Sequence, residues 1–323
     1  MFFICDLYNR ISQILKIHFY NTGSIDSISG GYIYNKEVIK ELEKLGHTII
    51  YSDEIEQLSS TSLNIVDSLI LKQAIPHLNP NQINIALLHQ VDYSQKSYPF
   101  THSIVTSRAA RIEVLGYSNL TEDTVDIIEP GIETTWKQKT TYSDKIRNLL
   151  SVSNYIDRKG LDLLIEACAR LAHLEWSLTI VGDQSLDAPY FSTIEEKVKE
   201  YKLSDRIELC GPRSREEINH MMITSDFLIQ PAKHETYGMA VYEGIISQLP
   251  VLMYKTGAWQ EFGKSKWVTF FDTLNVETLT RKLNEILENY TYPKDQFVDE
   301  IRSWKTVALD FEALIKRLES TND

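Results

Sequence analysis

Two doubly wound α/β domains in series are the fold class that the sequence predicts, and three observations lead to it. β-prone runs alternate with stretches of helix length along most of the chain. A polar interval at residues 134–144 breaks the alternation once, after which it restarts. The length, 323 residues, is generous for one domain and comfortable for two, each with a core of its own. The expected division is an N-terminal domain at 1–140 and a C-terminal domain at 146–302.

The elements follow in order. Residues 1–15 place Ile4, Leu7, Ile11 and Ile14 or Leu15 at helical spacing, which reads as a helix docked on the body; a membrane-surface or partner-binding helix is the alternative, weakened by little positive charge on its polar face. Lys16-Ile-His-Phe-Tyr20 is a short β-prone run. A loop ending in Ser29-Gly30-Gly31 leads into a helix with Val38, Ile39, Leu42 and Leu45 on one face, stopped by Gly46. Further strands are expected at 48–51, 83–88, 103–106 and 125–128. Beyond the polar interval, six more are expected at 149–153, 178–181, 206–210, 226–230, 251–254 and 268–271, with helix patterns between most of them.

Composition narrows the function classes. A formal net charge of −12, with neither half basic, disfavours nucleic acid and anionic lipid as partners, so an anionic ligand must be held by local positive groups. The three cysteines, Cys5, Cys168 and Cys210, form no pairable framework, and the last two sit in apolar patterns, which suits a reducing compartment. No apolar run approaches bilayer length, and the first residues lack a basic start and a small-residue cleavage site. A cytoplasmic protein is expected, with a weak peripheral contact at the inner membrane face left open.

In doubly wound sheets, ligands bind at the carboxyl ends of strands and at the helix amino termini they feed. Gly30-Gly31 opens a helix after the first strand, where backbone N–H groups can approach a phosphate or sugar with no Cβ in the way, although paired glycines also serve plain turns. Arg158 and Lys159 stand just before the helix carrying Leu161, Leu164, Ile165, Cys168 and Leu171. The helix dipole disfavours cations there, so a bound anion such as a diphosphate would offset the cost; simple solvation of both side chains is the alternative. Between the strand at 226–230 and the next helix, the loop Pro231-Ala-Lys-His-Glu-Thr-Tyr-Gly238 delivers Glu235, followed by helix-start N–H groups at Tyr237, Gly238 and Met239. Glu243 lies about 7 to 8 Å further along the helix. That separation suits one ligand with hydroxyls at both ends and a diphosphate between, which describes a nucleotide sugar. Two glutamates at this spacing also arise by chance; the strand, loop and helix order, with the basic pair in another loop of the same cleft, favours function.

At these residues the chain resembles the retaining nucleotide-sugar-dependent glycosyltransferases of family 4, which have the GT-B fold of two Rossmann-like domains facing each other across a cleft. The resemblance rests on SVSNYIDRKGLDLLIEA (151–167), LTIVGD (178–183), RIELCG (206–211) and HETYGMAVYEGIISQLPVLMYKTGAWQEF (234–262). It is thinner in the first half: Gly30-Gly31 with LEKLGH, His89 after an apolar strand, TSRAARIEVLG (106–116) and Glu129-Pro-Gly-Ile132. SWKTVALDFEALIKRL (303–318) looks like the closing helix that crosses back to the first domain, at about 303–320.

The resemblance implies that Glu235 contacts the donor sugar and Glu243 the ribose. Gly238 and Met239 would meet the phosphate or sugar through N–H groups, Lys159 the diphosphate, and His89 would lie near the reacting centre. Where the family usually has an arginine stands Asn154, an amide that can donate a hydrogen bond but supplies no charge, so either Arg158 takes over or the enzyme is slower or unusual. No Asp-x-Asp occurs anywhere in the sequence, and metal independence is expected. The implied chemistry is sugar transfer from a UDP- or GDP-linked donor with retained configuration and no other cofactor. The acceptor, whether glycan, lipid-linked, protein or small molecule, stays open. Two alternatives share the architecture: a nucleotide-sugar epimerase, and a non-catalytic sugar-nucleotide-binding partner subunit.

Overall fold

The switch in strand order at the middle of each of two parallel sheets decides where a ligand can sit. A computed structural model describes residues 14–23, 25, 29–60, 62–293 and 301–322; most of the expected N-terminal helix, with Ile4, Leu7, Ile11 and Cys5, lies outside them. The first sheet contains β1 (Lys16–Tyr20), β2 (Thr48–Ser52), β3 (Leu63–Asp67), β4 (Ile83–Leu88), β5 (His102–Val105) and β6 (Val125–Ile127), in the order β2-β1-β3-β4-β5-β6. Helices α1 (Gly30–Lys44), α2 (Leu71–Ala74) and α3 (Arg108–Tyr117) connect them. The second sheet contains β7 (Asn148–Val152), β8 (Ser177–Val181), β9 (Ile207–Cys210), β10 (Phe227–Gln230), β11 (Val251–Tyr254) and β12 (Val268–Phe271), in the order β12-β11-β10-β7-β8-β9. Its helices are α4 (Leu161–Arg170), α5 (Ala188–Glu200), α6 (Arg215–Thr224), α7 (Met239–Ile246), α8 (Trp259–Phe262) and α9 (Val276–Asn289).

Strands buried on both faces read as continuous apolar runs, which is why the strands of the second half were visible in the sequence. Strand β3, which carries Asn64, is not among the strands expected from the sequence. In the structure Asn64 lies opposite Asn84 on β4, and its Nδ2 donates to the Asn84 Oδ1 at 2.8 Å, so the two buried amides satisfy each other. On β1, Ile17 and Phe19 join the core under α1, while Tyr20 joins the core of the opposite face.

The final helix, α10 (Trp304–Asn322), leaves the second domain and packs on the first. Trp304, Val307, Phe311 and Ile315 share one buried cluster with Val38 and Leu42 of α1. Two passages of chain therefore run side by side, joined by a bridge between Ile132 and Ser303. Gly131 permits this closeness: a Cβ there would stand 2.6 Å from the Trp304 nitrogen.

The polar interval at 134–144 is not a free linker. Trp136 Nε1 donates to Ser247 Oγ at 2.8 Å, Lys137 N–H to Asn219 Oδ1 at 2.8 Å, and the buried Lys139 ammonium to the Ser225 carbonyl. Polar composition here reflects specific bonds to the second domain rather than exposure.

Candidate functional site

The second sheet reverses direction between β7 and β10, the usual place for a ligand crevice in such sheets. Two loops leave that point, and they are sewn together. Lys233 N–H donates to the Arg158 carbonyl at 2.8 Å, and the Lys233 ammonium meets Asp157 at 2.7 Å. Gly160 has φ +65°, and a Cβ on it would stand 2.5 Å from the Pro231 carbonyl oxygen, so both handedness and space call for glycine. This seam brings Lys159 and Glu235 into an ion pair whose side chains are 15% and 13% exposed. On the other side of the loop, Ala258 N–H donates to the Glu235 carbonyl at 2.9 Å, beneath Gly257 at φ +51°.

Apart from the four-residue helices α2 and α8, which also lack a side-chain cap, helix ends set this region apart. Among the described residues, α3, α5, α6 and α9 begin with Ser107, Asp187, Ser214 and Asn275, each accepting a first-turn N–H on its side chain. Helix α10 begins with Ser303, whose hydroxyl accepts from Thr306 N–H at 3.2 Å. Helices α1, α4 and α7 begin with Ser29, Gly160 and Gly238, and none of these makes a side-chain capping bond. All three follow strands at the switch points. Two of them meet across the cleft, where a Cβ on Gly30 would stand 3.3 Å from Met239 Cγ. Each uncapped end presents N–H groups and about half a positive charge to the same space.

The predicted residues divide by what their side chains do. Arg158 Nη1 points at the His234 carbonyl at 3.5 Å, so its guanidinium braces the seam. Asn154 Oδ1 accepts from Asp183 N–H at 3.0 Å, holding the β7 loop against the β8 loop. The Tyr237 ring is buried between Tyr242 and Phe262, which leaves its backbone as the part facing the helix end. Met239 packs against the cores of both domains. Gly31 lies against His89: a Cβ there would be 3.1 Å from the imidazole Cδ2.

Glu243 is 3% exposed, and its carboxylate meets Arg215 Nη1 at 2.7 Å. The same guanidinium donates to both oxygens of Glu133, at 2.8 and 3.1 Å, and stacks 4.6 Å over Trp136. Burial pushes the Glu243 carboxyl above its ordinary range, opposed by Arg215 and reinforced by Glu133. Sequence reading missed Arg215 because its partner Glu133 lies 82 residues away and Glu243 on another helix; no short-range spacing signals such a triad.

Across the cleft, Ser107 Oγ donates to the Thr236 carbonyl at 2.6 Å, and Glu261 Oε1 accepts from Arg108 N–H at 2.8 Å and Ala109 N–H at 3.4 Å. The amino terminus of α3 thus grips a carboxylate of the second domain, as helix dipoles favour.

Burial lowers the pKa of His18, His89 and His102 below 6.5, against the raising effect of Asp67 at His89 and Asp126 at His102. The folded chain then binds fewer protons at these rings than the unfolded chain, so their contribution to stability is complete above pH 6.5 and is lost as pH falls through the folded values. Thermal unfolding followed from pH 7.5 down to about pH 5.5 is expected to show a falling Tm; an unchanged Tm would mean that these rings are solvated.

Residues 132–303 match the family described as Glycosyl transferases group 1. An uncharacterized glycosyltransferase of Methanocaldococcus jannaschii is 31% identical over 112 residues, covering 35% of this chain and 30% of that protein. The gpi3 subunit of phosphatidylinositol N-acetylglucosaminyltransferase from Schizosaccharomyces pombe is 25% identical over 183 residues, covering 54% of this chain and 39% of that one. The chain thus spans less than half the length of these curated relatives. In fold, a glycosyltransferase structure from Rickettsia africae superposes with a TM-score of 0.75 at 18% identity, over 95% of this chain and 99% of that one. The matched stretch takes in both loops of the seam, the uncapped ends of α4 and α7, and the Glu133, Arg215 and Glu243 cluster: the chain belongs to the group 1 glycosyl transferases.

Proposed function

We propose that the protein transfers a sugar from a nucleoside-diphosphate sugar to an acceptor hydroxyl with retained configuration and without a metal ion. The observation that carries this reading is the convergence of three uncapped helix ends and Lys159 on one cleft, a built site for a doubly charged group. The bond between the sugar's anomeric carbon and the phosphate oxygen breaks, and the acceptor oxygen bonds to that carbon on the same face. Negative charge grows on the departing phosphate, where Lys159 and the N–H groups stabilise it, and the phosphate takes the acceptor's proton. Glu235 serves as the hydroxyl clamp on the sugar, released from Lys159 when the phosphate arrives. Glu243, paired with Arg215, holds the ribose once the domains part. A UDP- or GDP-linked sugar is the donor this reading expects.

The test is release of free nucleoside diphosphate from a panel of UDP, GDP and ADP sugars, in the presence of a chelator and with mixed acceptors. Release that a chelator leaves intact and Glu235→Ala abolishes supports the proposal. Conversion of the donor to its epimer without release assigns the chain to isomerase chemistry, and tight binding without turnover assigns it to a partner-subunit role, as the gpi3 relative's name would suit.

A further inference from the structure

Helix α1 holds His89 from three sides. Gly31 lies against the ring's Cδ2 and Cγ, Tyr34 presents an edge at 5.0 Å between centroids, and the Asn35 Oδ1 stands 2.7 Å from His89 Nε2. These residues occupy one face of the helix at spacings of three and four. Asn35 is in turn tied to the end of β3, where its Nδ2 donates to Asp67 Oδ2 at 2.6 Å. Asp67 is almost wholly buried, and its other oxygen accepts from Leu69 N–H at 2.8 Å and from the Ser68 hydroxyl at 3.3 Å.

The chemistry of this chain of bonds runs one way. A carboxylate that accepts at both oxygens leaves Asn35 only its NH2 end to turn towards Asp67, so the amide oxygen must face the histidine. An amide oxygen only accepts, so His89 Nε2 must carry a proton. In a neutral ring the remaining nitrogen, Nδ1, then has a lone pair and no proton.

We infer that Asn35 and Asp67 are positioning residues that lock His89 as the neutral Nε2–H tautomer, so that its Nδ1 serves only as a hydrogen-bond acceptor for a hydroxyl of the bound sugar. This rests on the reading of the cleft as a sugar-transfer site, and it deepens it. His89 then acts neither as a cation on the diphosphate nor as a proton donor to the leaving group; those tasks fall to Lys159 and the helix ends. Besides Asp67 from β3, whose Oδ2 stands 3.5 Å from His89 Nε2, the Tyr34 ring from α1 is a titratable group that faces His89.

The experiment is a long-range 1H–15N correlation spectrum of the histidine rings in the full chain at pH 7.5, with the His89 signals identified by their loss in His89→Gln. The expected result is one pyrrole-like nitrogen at Nε2 and one pyridine-like nitrogen at Nδ1. A protonated Nδ1, or an imidazolium with both nitrogens protonated, overturns the inference. Asn35→Leu and Asp67→Asn are each expected to mix the tautomers in that spectrum and to lower kcat by about five- to tenfold, the worth of one neutral hydrogen bond. Because Asp67→Asn keeps the side chain's shape and turns only one acceptor into a donor, it covers the case in which Asn35→Leu fails to fold. The spectrum needs no turnover, so the tautomer is decided even if no donor is consumed. Sugar transfer with the wrong tautomer would sink this inference while leaving the proposed function standing.

Discussion

Replacing Lys159 with alanine is expected to lower kcat/KM for the donor by about 10²- to 10³-fold, the scale on which removing one preorganised charge at a developing anion acts. The position has little redundancy. Asn154 supplies no charge, and its amide oxygen is committed to the Asp183 N–H. Arg158 is turned towards the His234 carbonyl. On the proposed reading, charge on the departing phosphate is therefore met chiefly by Lys159 and the ends of α1, α4 and α7. The substitution also strands Glu235 without its partner, so Lys159→Ala combined with Glu235→Gln separates the two effects. If the double variant stays impaired in binding free nucleoside diphosphate, which carries no sugar for Glu235 to hold, the lysine acts on the phosphate; if that binding recovers, the lysine merely neutralised Glu235. Activity of Lys159→Ala near the wild-type level would place the diphosphate elsewhere.

Replacing Arg215 with alanine is expected to cost about 3 to 5 kcal/mol of stability, because it removes the shared cation between two carboxylates, one of them deeply buried. Arg215 is 26% exposed and Glu243 3%, so solvent cannot replace what the guanidinium supplies. The loss should depend on pH in a definite direction. Glu243 already has its pKa raised by burial, and without Arg215 it rises further. A carboxyl with a raised folded value takes up its proton more readily when folded, so its cost is relieved below the unfolded value and is fully present above the folded one. Urea unfolding of the variant against wild type should therefore show a large deficit at pH 7.5 that shrinks towards pH 5. A deficit independent of pH would mean that lost packing on Trp136, rather than the stranded charge, sets the cost.

The two-sheet architecture was legible because strands covered on both faces must be apolar throughout. The exception is β3, and its Asn64 does not account for it, since β4 was legible with Asn84 at the matching place; the two amides, 20 residues apart, bond to each other only in the folded sheet. The loops bearing Lys159 and Glu235 were legible from strand, loop and helix order. Their mutual pairing was not, since it depends on Gly160 letting two loops touch. Residues 134–144 misled for a related reason: Lys139 looks solvated by type but is buried against the Ser225 carbonyl. Glu243 was picked out as a ligand group without the guanidinium it is paired with, because Arg215 and Glu133 are brought to it only by the packing of α6 and the inter-domain passage against α7.

The grip of α3 on Glu261 has a thermodynamic consequence for substrate entry. Thr236, whose carbonyl takes the Ser107 hydroxyl, sits next to Glu235, so the bonds that join the two domains here also set the backbone beside the proposed sugar clamp. On the proposed reading, a bulky donor passes only in molecules where those bonds are released, and the fraction so released scales the apparent affinity directly. Admission and alignment are thereby linked through one set of contacts: whatever loosens the gate also unsettles the residue that receives what comes through it.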